Sequence, residues 1–208
     1  MYFCAAGVPV HLLQEKGETM LQSAETAILV VDMLNDFVLP GAPMRVAGAL
    51  ATVPAIADFL AYGRAHDWAV IYINREHRAS GIDAEMTRRH FFAEGKPFCV
   101  PGTRGAEVVE ELRPEPGDII VAKQRFSAFV GTDLDLVLRG LGVKTIYVTG
   151  TQYPNCIRAT AVDSMGLDYL TRVCTDCCSA ATPEVAEANI YDIRMMGIAC
   201  APSTEFMK

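Results

Sequence analysis

No apolar run in the chain is long enough to span a bilayer, and Met1 to Glu25 lacks the positive start and continuous apolar core of a secretion signal. Basic tracts and aromatic-basic interleaving are missing too. The formal net charge of -7 is spread along the sequence, which excludes nucleic acid as the expected partner. There is no Ser/Gly-rich linker, low-complexity segment or internal repeat. The 208 residues, 51% of them hydrophobic, are therefore expected to form one domain over 25–208, preceded by an N-terminal arm over 1–24 that packs on a neighbouring subunit or is disordered. Seven cysteines fall without the regular spacing of a disulfide framework. They point to reduced thiols and a cytoplasmic location.

What is present is an alternation. Strand-like apolar runs occur near Ala27 to Val31, Ala69 to Asn74, Asp118 to Ala122, Thr145 to Thr149, Asp168 to Val173 and Gly197 to Cys200. Between them, Val53 to Ala65, Gly105 to Leu112, Asp133 to Leu141, Cys156 to Met165 and Pro183 to Met196 carry apolar residues at helical spacing. Thr132 and Thr182 are placed as N-caps, Pro183 suits a first helical position, and Gly140, Gly142 and Gly166 suit helix stops. Buried-type strands alternating with helices predict an α/β protein, a three-layer αβα Rossmann-like fold with a six-stranded parallel sheet.

Three strand ends carry reactive groups. The first run ends in Asp32 and the third in Lys123, while the fourth leads through Gly150-Thr-Gln-Tyr-Pro-Asn to Cys156 at a predicted helix start. The carboxyl ends of parallel strands meet along one edge, where ligands bind. A thiol at a helix N-terminus is stabilised as thiolate by unpaired N–H groups and the helix dipole. A carboxylate can take its proton and an ammonium can hold both anions, so the three groups suit nucleophilic catalysis. Taken singly, a buried cysteine is a small hydrophobe, Asp32 or Asp36 a turn or cap residue, and Lys123 the partner of a structural carboxylate. On that ground Cys4, Cys99, Cys174, Cys177, Cys178 and Cys200 are expected to be inert.

Val31-Asp32-Met-Leu-Asn-Asp-Phe37, Lys123-Gln-Arg-Phe-Ser-Ala-Phe129 and the Cys156 segment resemble the three signatures of the isochorismatase-like cysteine hydrolases. That family includes nicotinamidase and N-carbamoylsarcosine amidase. The resemblance covers roughly 25–205 and implies an Asp32-Lys123-Cys156 triad that hydrolyses a small amide or N-carbamoyl compound through a thioester. It further implies a cis peptide between Thr151 and Gln152, with the oxyanion held by the N–H groups of Gln152 and Cys156. Family members acting on the vinyl ether of isochorismate lack the cysteine, so amide hydrolysis is preferred, with a nicotinamidase-type or isochorismatase-like activity as alternatives.

Substrate contacts are expected from two sets. Arg75, His77, Arg78, Arg88, Arg89 and His90 crowd the long loop after the second strand, and Arg158 lies one turn into the Cys156 helix. Their guanidinium groups favour an acid-bearing amide, or else they are solvated or paired with Glu76, Asp83 and Glu85. Phe37, Phe126, Phe129 and Tyr153 would instead wall a flat pocket for a neutral aromatic amide. In metal-binding nicotinamidases an Asp-x-His pair follows the second strand. Glu76 and Arg78 stand at those places here, and an arginine cannot ligate, so neither metal nor cofactor is expected. A small amide or carbamoyl compound is the expected partner, with a homo-oligomer (dimer or tetramer) as the assembly. A thiol redox protein using the cluster near Cys177 and a catalytically silent interaction module are the competing classes.

Overall fold

In a computed structural model, which describes residues 24–207, the apolar runs pair side by side. The strands β1 (Thr26–Val31), β2 (Ala69–Arg75), β3 (Ile119–Lys123), β4 (Thr145–Thr151), β5 (Leu170–Ser179) and β6 (Ala199–Ala201) form one sheet in the order β3-β2-β1-β4-β5-β6. Every pairing is parallel. The arm expected over 1–24 lies outside the described residues apart from Ala24, and Cys4 lies outside them altogether. No helix among the described residues is long and apolar enough to cross a membrane.

Successive β1 side chains point to opposite faces and so feed two cores. Ala27, Leu29 and Val31 pack with Leu134, Leu138, Ala161 and Ile193, whereas Ile28 and Val30 pack with Val53, Ile56, Phe59 and Leu60. The first face is covered by α4 (Leu134–Leu141), α5 (Arg158–Gly166) and α6 (Pro183–Met195), and the second by α2 (Ala49–Ala65). The short helices α1 (Asn35–Val38), α3 (Arg89–Ala93) and α7 (Ser203–Phe206) lie in the connections and at the end. Thr182 caps α6, its Oγ1 accepting from the Val185 N–H at 3.4 Å, with Pro183 opening the helix. Thr132 stands one residue before the N-cap of α4, which is Asp133; its Oγ1 accepts from Leu134 N–H at 3.3 Å, and Gly142 closes α4 in the left-handed region.

Four expectations need correcting. Residues 105–112 form two 3₁₀ turns, Arg104–Ala106 and Glu110–Leu112, because the chain between them is held extended against the segment after β1: Val109 N–H donates to Met33 O and Asn35 N–H to Glu107 O. The helix α2 starts at Ala49 rather than Val53, with Pro54 inside it. Gly140 lies within α4 and does not stop it. Finally, β5 runs on past Val173 to Ser179 through a bulge opposite β4. Cys174 and Cys177 pack into one core and Cys178 into the other, which makes the cysteine cluster part of a buried strand.

The chain order reverses between β1 and β4, neighbours in the sheet that lead to opposite edges. At such a switch point the connections diverge and leave a crevice beyond the carboxyl ends. Gly150, opposite Val31 in register, lets the two ends close together: its φ is +108°, and a Cβ there would lie 2.0 Å from the Val31 carbonyl oxygen.

Candidate active site

Asp32 follows β1 directly. Its φ of 52° lies in the left-handed region, which costs on the order of 1 kcal/mol, and its N–H donates to Ile73 O at 2.9 Å. Lys123 is the last residue of β3 and its side chain is wholly buried. The Lys123 ammonium donates to Asp32 Oδ2 at 2.6 Å, to Arg125 O at 3.2 Å and to Cys156 Sγ at 3.5 Å. Three residues far apart in sequence therefore meet through one Nζ. Asp32 Oδ1 is buried and, among the described residues, accepts from no N–H or O–H.

Cys156 is reached by an unusual turn. The Thr151–Gln152 peptide is cis, and Tyr153–Ile157 forms a π-helical turn that runs on into α5. The sulfur thus sits within this wider turn, before the regular helix begins. Burial and the Asp32 charge push the Cys156 thiol up, Lys123 and Arg75 pull it down, and burial prevails. Asp32, bonded to the same ammonium as the sulfur, is the carboxylate placed to take the thiol proton.

Above the sulfur, Asp32, Phe37, Met44, Val46, Arg88, Thr151, Gln152, Asn155 and Cys156 enclose a cavity of about 20 Å³, room for a single water. A small amide exceeds this volume while Met44, on a loop, and Arg88, at the end of the 3₁₀ turn Met86–Arg88, keep these places. Phe37 rests edge-on against Phe98, and Phe126 lies beneath the guanidinium groups of Arg88 at 4.8 Å and Arg75 at 5.5 Å.

The other expected contacts lie elsewhere. Phe129 stacks on Tyr169 in the core. Tyr153 is fully buried near Cys178 and Cys200, and desolvation drives its titration far above the ordinary tyrosine value. Arg158 binds Asp192 on α6, with Nε at 2.8 Å. Arg78 is 73% exposed and holds Asp83 at 2.9 Å. His77 is buried edge-on between Phe92 and Phe98, beside a separate depression with Glu76, Arg78 and Asp83. These residues do not fit a metal: Arg78 occupies Asp83, and no group of three His, Cys, Asp or Glu side chains gathers in metal-holding geometry among the described residues.

Two site residues were placed differently by the sequence. Arg75, counted among the loop cations, is the last residue of β2, opposite Lys123 in register and wholly buried. Its Nη2 lies 3.6 Å from Cys156 Sγ, while Nη1 donates to Glu85 at 2.6 Å and to Gln124 O at 3.0 Å. The rule that singled out Asp32 and Lys123, a charged residue ending an apolar strand, points to Arg75 as well. Glu85, expected only as a pairing partner for surface charge, has no such signal: only its contact with Arg75 brings it near the site. Asp36 has a bracing role, accepting the Cys99 N–H at 2.6 Å.

A three-layer α/β fold with a buried thiol, carboxylate and ammonium at its switch point has the build of an enzyme. The chain belongs to the isochorismatase family, whose Isochorismatase domain matches residues 26–205. The crystal structure of an isochorismatase family protein from Desulfovibrio vulgaris is 56% identical, with a TM-score of 0.86 over 88% of this chain and 96% of that one. An Arabidopsis thaliana protein described as "Probable inactive nicotinamidase" is 42% identical over 83% of this chain and 90% of its own length. The maleamate amidohydrolase of Pseudomonas putida is 32% identical over 80% of this chain and 78% of its own. The relatives thus include an amidohydrolase, an enzyme that hydrolyses a C–N bond.

Proposed function

We propose that the chain is a cysteine amidohydrolase that cleaves the C–N bond of a small amide or N-carbamoyl compound through a thioester on Cys156. The observation that carries this reading is the Lys123 ammonium bonded at once to Asp32 and to the Cys156 sulfur, two residues that line the cavity. Asp32 takes the thiol proton as sulfur attacks the carbonyl carbon, whose π pair moves onto oxygen. Collapse expels the amine, which leaves with the proton from Asp32. Water then gives a proton to Asp32 and attacks the thioester carbonyl. Sulfur departs with the bonding pair and regains its proton. The oxyanion is assigned to the backbone N–H groups of Gln152 and Cys156, both at the cavity wall.

Among the described residues Arg88 is the cavity's one cationic lining residue, which favours a substrate carrying a carboxylate beside the scissile amide, as in the maleamate on which a relative acts. A higher kcat/KM for nicotinamide than for maleamate would reverse that preference. A cytoplasmic location and a homo-oligomeric state belong to the same proposal, the latter open to sedimentation velocity.

Cys156→Ala is expected to cut ammonia release from the preferred amide by about 10⁴-fold or more with an unchanged circular dichroism spectrum, while Cys177→Ala keeps most of it. Comparable release by the Cys156 variant removes the mechanism.

A further inference from the structure

The Asp32-Lys123-Cys156 mechanism leaves one buried charge beside the sulfur without a task. Arg75 ends β2 next to Lys123, and its guanidinium is fixed on several sides: Glu85 and the Gln124 carbonyl hold Nη1, and the Phe126 ring lies against its face. Its Nη2 has a single hydrogen-bond partner among the described residues, Cys156 Sγ, and its buried Nε has none. An arginine kept only for packing would direct both ends of its fork at oxygen acceptors. Nor is it placed to meet substrate, since it is absent from the cavity wall, where Arg88 stands instead.

The charges around the sulfur show what it can do. Lys123 and Arg75 are cations, and Asp32 and Glu85 are their carboxylates. With the thiol protonated these four cancel. Moving the thiol proton to Asp32 leaves the sum unchanged but sets the new negative charge between two ammonium-type donors at 3.5 and 3.6 Å. Without Arg75, the thiolate would share Lys123 alone with Asp32.

We propose that Arg75 is a catalytic residue of this site, a second cation that holds the Cys156 thiolate beside Lys123, with Glu85 as the positioning residue that orients its guanidinium. The proposal rests on Cys156 being the nucleophile.

The test is the pH dependence of Cys156 alkylation by iodoacetamide, followed by mass spectrometry of the peptide that contains it. Besides Arg75 and Glu85, the groups facing the sulfur are Asp32 after β1, Lys123 on β3 and Arg88 across the cavity, so the midpoint belongs to a coupled set and is compared between variants. In the double variant Arg75→Gln/Glu85→Gln, which leaves no buried unpaired carboxylate, the midpoint is expected to rise by about one unit or more, a roughly tenfold slower alkylation at fixed pH below it. Turnover falls through kcat rather than KM. In Glu85→Gln, which keeps the guanidinium and removes the opposing charge, the midpoint is expected to fall. The opposite sign keeps the proposal testable even if the double variant does not fold. A midpoint in Glu85→Gln that stays within about 0.3 unit of wild type or rises overturns the proposal. So does a folded double variant with an unmoved midpoint, including one in which only KM for an acid-bearing amide rises, the mark of a substrate anchor. Failure of the nucleophile assignment itself is read separately, as turnover retained by Cys156→Ala.

Discussion

Two lysines bond carboxylates at opposite edges of the sheet. Lys123 holds Asp32 at 2.6 Å where β3 ends, and Lys144 holds Glu25 at 2.5 Å just before β4 and β1 begin. The side chains of the first pair are 0% and 2% exposed, those of the second 71% and 76%. Distance does not separate these pairs; water does. At the open edge, solvent and salt screen the attraction, so the ion pair lowers the Glu25 titration through its hydrogen bond and charge but contributes little to the fold. At the closed edge each charge has lost its hydration, and removing one partner strands the other in a poorly polarisable surround.

The largest effect is therefore expected from Lys123→Ala. It leaves Asp32 buried and unpaired, lowering unfolding free energy by about 3–5 kcal/mol in urea titrations and turnover by orders of magnitude. A variant as stable as wild type would show that water reaches the site and erase the contrast. Next comes Gly150→Ala, which attacks the cause of the burial. With the Val31 carbonyl oxygen 2.0 Å from the new Cβ, β4 must part from β1, at about 3 kcal/mol of stability and most of the activity. An unshifted melting temperature would contradict it.

A smaller effect is expected at His77, beside the Arg75-Glu85 pair. Burial and then the Arg75 charge push its pKa down to about 4. The unfolded chain binds this proton near pH 6.5, so the stability from the neutral ring is complete above about 6.5 and is lost as pH falls toward 4, about 3 kcal/mol in all. Urea unfolding at pH 7 and pH 4.5 should show a smaller fall for His77→Gln than for wild type, and equal falls would refute the assignment. Smallest of all is Lys144→Ala, expected to leave activity and stability unchanged within error at ordinary ionic strength. A measurable loss would show that the exposed pair is coupled to the fold after all.

Sequence legibility follows the range of the interaction concerned. The six strands were readable because apolar runs and turn residues act within a few positions, and the parallel, twice-covered sheet follows from their alternation with helices. The places of Asp32 and Lys123 were readable for the same reason, since each sits where a local apolar pattern stops, and Cys156 lies in the turn after the next such run. The 3₁₀ turns over residues 104–112 were not, since the extended link between them is held by Met33 and Asn35, far earlier in the chain. The loop cations were no more legible. Arg78 and Arg158 carry the same charge as Arg75 and Arg88, yet Asp83 and Asp192 draw the first two away from the cavity.

The amino-acid sequence by itself determined where the six strands lie and how helices cover them, because side-chain periodicity is a property of short stretches of chain. Only the tertiary structure decided the strand order that sets β1 beside β4, the close approach that Gly150 permits, the shift of β5 that buries the cysteine run, and the turn of Arg75 toward the sulfur while Tyr153 and Phe129 face the core. Each of these depends on a partner distant in the chain, and the strength of a charge depends on how much water that partner excludes.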